Sequence, residues 1–190
     1  YAIDDLTPLA DAIVETSERA MKEKIGEIPD GTYRKSVNIE GVDDPITLVC
    51  RIDIAGEELH VDFTGTGPPV GIGINVPLGY AKAFAVYGVK CITIPGTPNN
   101  IGCVTPIKVT APENCILNAL PPHPTGGRNI VGHFVTSLVF AALADAIPDR
   151  VQADSGMMNH LNVQGTHRNG RSVAGLYYAS GGFGALDGLD

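Results

Sequence analysis

The run Ile46-Thr47-Leu48-Val49-Cys50-Arg51-Ile52-Asp53-Ile54, joined through Ala55-Gly56-Glu57 to Glu58-Leu59-His60-Val61-Asp62-Phe63, decides the fold class. In the first run Ile46, Leu48, Cys50, Ile52 and Ile54 alternate with Thr47, Val49, Arg51 and Asp53; in the second, Leu59, Val61 and Phe63 alternate with Glu58, His60 and Asp62. A period of two sends successive side chains to opposite faces of a sheet, so each run is expected to be a half-buried strand. The short glycine-containing link makes the two an antiparallel hairpin. The second strand ends on Asp62. The chain then runs through Thr64-Gly65-Thr66-Gly67-Pro68-Pro69 and closes on Gly73-Ile74-Asn75. Such a loop exposes backbone beside one carboxylate and two hydroxyls, a surface suited to gripping a small polar molecule.

Helical periodicity surrounds the hairpin. Upstream, Thr7 is placed as an N-cap with Pro8 in the first helical position. Leu9, Ala10, Ile13, Val14, Ser17, Ala20 and Met21 then recur at three and four residues, up to a stop near Gly26. Pro29-Asp30-Gly31 is a turn. Downstream, residues 78–91 read as a helix with Tyr80, Ala83, Phe84 and Tyr87 on one side, and 95–102 as a turn-rich loop. Ile107, Val109 and Ala111 suggest a strand that Pro106 and Pro112 confine to an edge or a short ladder. After a stiff loop over 121–127, a long helix over 129–147 turns Ile130, Phe134, Leu138, Ala141, Ala142 and Ala146 inward, and Pro148-Asp149 ends it. Beyond Val151 the chain is small and polar until a strand at 173–179. This order predicts an α+β fold with mixed or antiparallel sheets and two or three long helices, treated as one domain over 1–190.

Composition narrows the class. The 190 residues are 44% hydrophobic, but only 18% are charged, below the usual share of about 25%. With 23 glycines as well, much of the surface is expected to be covered by further polypeptide or a partner. The net charge of −8 and the lack of a basic run argue against nucleic acid. No apolar stretch reaches the roughly 18 residues of a membrane span, and the first residues lack a secretory pattern. Cys50, Cys91, Cys103 and Cys115 form no Cys-x-x-Cys pair, which disfavours a zinc cluster and suggests free thiols in a cytoplasmic protein. Starting at Tyr1 near a helix start, and stopping at Asp190 just after a glycine-rich turn, the chain is expected to be a piece of a longer one.

Several motifs carry candidate chemistry. Neither Gly65-Thr66-Gly67 nor Gly71-Ile72-Gly73 completes Gly-x-Gly-x-x-Gly, since Val70 and Val76 take the last position, and no Gly-Lys-Ser/Thr occurs. The loop after Asp62 is thus open to two readings: a glycine-dependent turn, or an anion or carbonyl site with Asp62 and Asn75 as anchors. Pro121-Pro122-His123-Pro124-Thr125-Gly126-Gly127-Arg128-Asn129 leads into the long helix, where Arg128 suits a carboxylate or phosphate; a plain capped helix start with a surface Arg is the alternative. No histidine pair has the spacing of a helical metal site. His133, one turn past Arg128, is the best placed of them as an acid or base; His160 and His167 fall in a Gly/Asn-rich loop. Asn99-Asn100-Ile101-Gly102 is a turn by default, and Gly181-Gly182-Phe183-Gly184 permits close backbone approach.

Taken in order, these motifs resemble the hydantoinase B family, the large-subunit type shared by N-methylhydantoinases, 5-oxoprolinases and acetone or acetophenone carboxylases. The resemblance rests on Ile28-Pro29-Asp30-Gly31-Thr32-Tyr33, on Val61 through Thr66 followed by Ile74-Asn75, and on Pro98-Asn99-Asn100-Ile101-Gly102 with Pro106-Ile107 and Ala111-Pro112. It continues through Ala141-Ala142-Leu143-Ala144-Asp145-Ala146-Ile147-Pro148-Asp149-Arg150-Val151 to Gly181-Gly182-Phe183-Gly184-Ala185 with Asp187-Gly188. Each motif alone is weak; their succession is specific.

The resemblance implies a central to C-terminal part of a subunit that couples ATP hydrolysis to opening a hydantoin- or 5-oxoproline-type ring, or to carboxylating a ketone. ATP would lie on a hydantoinase A-type subunit or domain, and any divalent metal outside this segment. On this reading Asp62, Arg128 and His133 are candidate catalytic residues. Thr64, Gly65, Thr66, Asn75 and Asn100 are candidate substrate contacts, with the backbone at 65–67 supplying donors to an activated carbonyl oxygen. The loop His123-Pro124-Thr125-Gly126-Gly127-Arg128 keeps the family's Arg but not its neighbours, which leaves the choice between hydrolysis and carboxylation open. An assembly module without catalysis is a further alternative.

Overall fold

The computed structural model describes residues 5–156, 159–179, 181, 182 and 184–186. The fold is α+β. Helix α1 (Thr7–Ile25) precedes strands β1 (Gly31–Ile39), β2 (Ile46–Ala55) and β3 (Glu58–Asp62). Helix α2 (Leu78–Thr93), a 3-10 turn (Ile101–Cys103), strand β4 (Ile107–Thr110), and helices α3 (Asn129–Gly132) and α4 (Phe134–Leu143) follow. Strands β5 (Asn159–Thr166) and β6 (Ser172–Ala179) complete the order.

β1 to β4 form one sheet in sequence order. The first three strands are antiparallel, and β3 runs parallel to β4. Alternation decides the faces, as the hairpin run requires. Leu48, Cys50, Ile52, Leu59 and Val61 point inward and are buried, and Phe63 closes the row. Each large apolar side chain buried this way contributes about 1.5–3 kcal/mol. α4 covers β1 and β2 on this face, and α2 lies between α4 and β4. The opposite face carries the polar half of the pattern.

Several expectations need correction. Thr7 lies inside α1, not at its cap; Leu6 is the N-cap, and Asp5 Oδ1 accepts from the Thr7 N–H at 2.8 Å. The apolar stripe of α1 is buried only from Ser17 onward, while Leu9 (55% exposed) and Ile13 (49%) face solvent. In α2 the buried stripe is Ala81, Ala85, Gly88, Val89 and Ile92, beside which Tyr80 and Phe84 pack half-buried against the core while Tyr87 is exposed. The helix over 129–147 is two segments meeting at His133 and ends at Leu143. Its inward stripe is turned by one residue to Val131, Val135, Leu138, Val139 and Ala142. β5 occupies a stretch where the sequence suggests a loop, and β1 starts on the last residue of the expected turn and runs through a stretch to which the sequence reading gives no element. β1 is an edge strand on which Lys35 interrupts the inward row Tyr33, Val37 and Ile39, which masks the alternation.

Candidate functional site

The site grows from a mismatch in strand length. β2 has ten residues and β3 only five, so half of β2's edge loses its partner where β3 stops at Asp62. The chain after Phe63 folds back along that edge as a strap. The Thr66 hydroxyl accepts from the Val49 N–H at 3.0 Å and donates to the Val49 carbonyl at 3.2 Å, and the Gly67 N–H donates to the Thr47 carbonyl at 2.8 Å. Gly65 permits the reversal with φ +99°, against the Val49 side chain. Thr66 is therefore a buried structural hydroxyl. Thr66→Val should leave both Val49 backbone groups unsatisfied and cost about 2–4 kcal/mol; thermal unfolding should show a melting point lower by roughly 5–15 °C, whereas Thr66→Ser should stay near the parent.

Asn75 closes the far end of the loop and is completely buried. Its Oδ1 accepts from Val70 N–H at 2.7 Å, and its Nδ2 donates to the carbonyls of Val70, Ile72 and Pro124, each at 2.9 Å. The Gly127 N–H reaches the Gly73 carbonyl at 2.6 Å. The two loops singled out in the sequence are thus stitched together, and Asn75 is the stitch.

Asp62 stands half-buried on the polar face of the sheet at the root of the strap. One oxygen, Oδ1, accepts from the Thr64 N–H (3.1 Å), the Thr64 hydroxyl (2.8 Å) and the Thr110 hydroxyl (3.3 Å). Its other oxygen takes no hydrogen bond among the described residues. Thr110 Oγ1 also meets His60 Nε2 at 2.7 Å; with the Thr110 proton directed at Asp62, His60 is the donor. Beside them, the Thr32 hydroxyl at 2.6 Å and the Arg51 guanidinium hold the Asp53 carboxyl below its ordinary range. Burial, together with the Asp62 charge, pushes the Cys50 thiol far up, so Cys50 is no nucleophile.

Of the remaining candidates, Arg128 and His133 flank the two ends of α3. The Arg128 guanidinium lies over the Tyr80 ring, 5.5 Å from its centroid, and Tyr80 stacks on Phe84 at 4.6 Å. His133 lines a small pocket of about 230 Å³ with Tyr87, Ser137, Asp154 and Ser155. Asn100 is elsewhere, against α1, donating to the Ser17 hydroxyl at 2.8 Å and accepting from the Gly102 N–H at 2.9 Å. The amides of Thr66 and Gly67 already serve the Phe63 and Thr47 carbonyls, so of the three backbone donors expected at 65–67 only Gly65 remains. The outer end of the loop, Val70 to Ile72, lines an open pocket of about 610 Å³ facing Val42, Asp43 and Asp44.

Sequence reading missed His60, Thr110 and Tyr80 as members of these clusters. His60 was legible in principle, two residues before Asp62 on the same strand face; Thr110 needed the parallel register of β3 and β4. Among the described residues no group of three or more His, Cys, Asp or Glu is placed to hold a metal, and no helix is long and apolar enough to cross a membrane.

The profile of the family described as Hydantoinase B/oxoprolinase matches residues 1–190. The chain belongs to this family. One hydantoinase B relative, from the putative D-/L-hydantoinase of Pseudomonas sp. (strain NS671), is 31% identical over 87% of the chain. The match spans 30% of that relative, so the chain corresponds to less than a third of its length. The fold is similar to that of the ATP-dependent caprolactamase of Pseudomonas jessenii, with a TM-score of 0.77 and 22% identity over 95% of this chain and 31% of the other. Acetone carboxylase in its nucleotide-free structure gives a TM-score of 0.72 and 15% identity over 86% of this chain and 24% of that one. The chain thus belongs to the hydantoinase B family and shares its fold with a caprolactamase and an acetone carboxylase.

Proposed function

We propose that the chain forms part of an ATP-dependent hydrolase that opens a cyclic amide of the hydantoin or 5-oxoproline type. The observation that carries this reading is the divided carboxylate of Asp62. One oxygen is fixed by Thr64 and Thr110, and the other is left to orient a substrate N–H or an attacking water. In ring opening, water oxygen bonds to the carbonyl carbon, the ring C–N bond breaks, and the nitrogen leaves with a proton. Asp62 accepts a proton from the water as it attacks, and the Gly65 N–H, on the same loop, is the backbone donor available to the carbonyl oxygen. Arg128, steadied on Tyr80, holds an anionic group of the substrate or of an activated intermediate, and His133 acts as a separate acid or base.

ATP belongs, on this proposal, to a hydantoinase A-type partner subunit or domain, and a divalent metal, if used, to polypeptide outside this segment. The amides of Thr66 and Gly67 are engaged by the Phe63 and Thr47 carbonyls, which supports that division for this part of the loop. Cytoplasmic action is in keeping with four unpaired cysteines. Ketone carboxylation is the second reading, favoured by the acetone carboxylase fold.

The test is Asp62→Asn in the subunit assembled with its ATP-binding partner. Asn keeps an oxygen for Thr64 and Thr110 but cannot take a proton. ATP-dependent release of the ring-opened product should fall by about 10²–10⁴-fold with the melting point nearly unchanged. Turnover within a few-fold of the parent would remove Asp62 from the mechanism. ATP-dependent incorporation of bicarbonate into a ketone, without ring opening, would select the carboxylase.

A further inference from the structure

The described residues from Gln152 to Leu186 pair in one hairpin register, as an arm. Gln152 bridges Leu186, and the Ala153 N–H donates to the Ala185 carbonyl at 2.8 Å. The β5–β6 ladder continues the same register from Asn159–Ala179 to Thr166–Ser172, and His167 N–H to Arg171 carbonyl at 2.8 Å closes the turn. At the base, Gly181 and Gly184 run so near the Ser155 and Ala153 carbonyls that a Cβ on either would collide with backbone. This accounts for two glycines of the motif noted in the sequence; its Phe183, Asp187 and Gly188 lie outside the described residues.

The ladder has two faces of different composition. Pairing sets Leu161 opposite Tyr177, Val163 opposite Gly175, and Gly165 opposite Val173 on one side; on the other Asn162, Gln164 and Thr166 stand opposite Leu176, Ala174 and Ser172, so that side is mixed, with Leu176 and Tyr178 exposed among polar neighbours. The Tyr177 ring lies over Gly175, whose missing side chain makes room for it. The first side is an apolar face in the open: Leu161, Val163, Val173 and Tyr177 are 61%, 46%, 44% and 61% exposed. Among the described residues β5 and β6 make no substantial contact with any helix or other strand. A two-stranded ribbon in water is marginal by itself, and one with an uncovered apolar face calls for a cover.

Length argues for what covers it. This chain matches 30% of the hydantoinase B relative and 31% of the caprolactamase chain, so most of each polypeptide lies outside the match. The fold match takes in 95% of this chain, most of the arm included, so the arm recurs inside a much longer chain. We propose that the apolar face of the β5–β6 ribbon seats an apolar segment of the same subunit polypeptide from outside this stretch. The arm is then an intramolecular clasp, and the proposal stands independently of the chemistry at Asp62.

The experiment places a photo-cross-linker on each face in the subunit-length polypeptide, as Tyr177→benzoylphenylalanine and, on the opposite face, Gln164→benzoylphenylalanine. Position 177 should give an intrachain link to a peptide outside the 190 residues, and position 164 should not. Hydrogen exchange of the unmodified subunit supplies a second readout. Amides of β5 and β6 should exchange about 100-fold more slowly there than in the 190-residue chain, as for a packed rather than fraying element. A link of dimer mass, a link to the partner subunit, or equally fast exchange in both forms would overturn the proposal.

Discussion

Asn75→Asp is expected to collapse the loop architecture and lower the melting point by roughly 10 °C or more, the largest stability effect among single substitutions in this region. The exchange is nearly isosteric, which makes it informative. Asn75 donates to three carbonyls, of Val70, Ile72 and Pro124, and accepts from one N–H. An Asp there keeps the acceptor, loses every donor, and brings a buried charge against three carbonyl oxygens. Each buried polar group left without a partner costs about 1–3 kcal/mol, and burying an unpaired charge costs more. Asn75→Ala should be less damaging, since water can enter the space. Calorimetry of the three proteins should rank parent, Ala, Asp in falling stability; an Asp variant that melts with the parent would show that the stitch between loops 70–75 and 121–128 is dispensable. Turnover should fall with stability, because Arg128 is positioned by the second loop.

Gly102→Ala should be comparably severe for a different reason. Gly102 lies in the 3-10 turn against α1, and an added Cβ would run into the Val14 carbonyl and crowd the Glu18 N–H and Asn100 Oδ1. The first two are backbone atoms of a 19-residue helix, which do not swing aside as a side-chain tip would. Inserting one methyl into so tight a contact typically costs about 1–3 kcal/mol or more, and here it would also separate Asn100 from the Ser17 hydroxyl. The expected result is looser attachment of α1, seen as faster amide exchange over residues 17–25 with the β-sheet amides unaffected. Unchanged exchange in α1 would mean that the turn and helix separate without consequence.

The parts of this fold that can be read from sequence are those where one physical rule acts alone. β2 and β3 declare themselves because each follows a strict alternation, and the hairpin follows from the short glycine link, which closes as the two-residue turn Gly56-Glu57. The helices fall within a few residues of their expected places at most ends, but their inward faces differ where two stripes compete. Ile130, Phe134 and Ala141 rival Val131, Val135 and Val139, and tertiary contact with α2 settles the choice. β1 and β5 are hidden because an edge strand and an uncovered ribbon bury too little to leave a clear alternation. At the candidate site the Asp62 loop is marked by its residue types. The use of those residues is not: whether Thr66 and Asn75 face a ligand or their own backbone depends on where β3 stops and how the 121–127 loop comes round.

That arrangement separates holding from recognising. The strap and its stitch depend on the Thr66 hydroxyl, the Gly67 amide and the Asn75 carboxamide, each committed to backbone partners in the scaffold. Ile72, exposed at the mouth of the neighbouring pocket, is tied down through its carbonyl, so its side chain is free to vary without unravelling the scaffold. A lineage built this way can retune what it admits one substitution at a time, while the carboxylate at the strand end keeps its place.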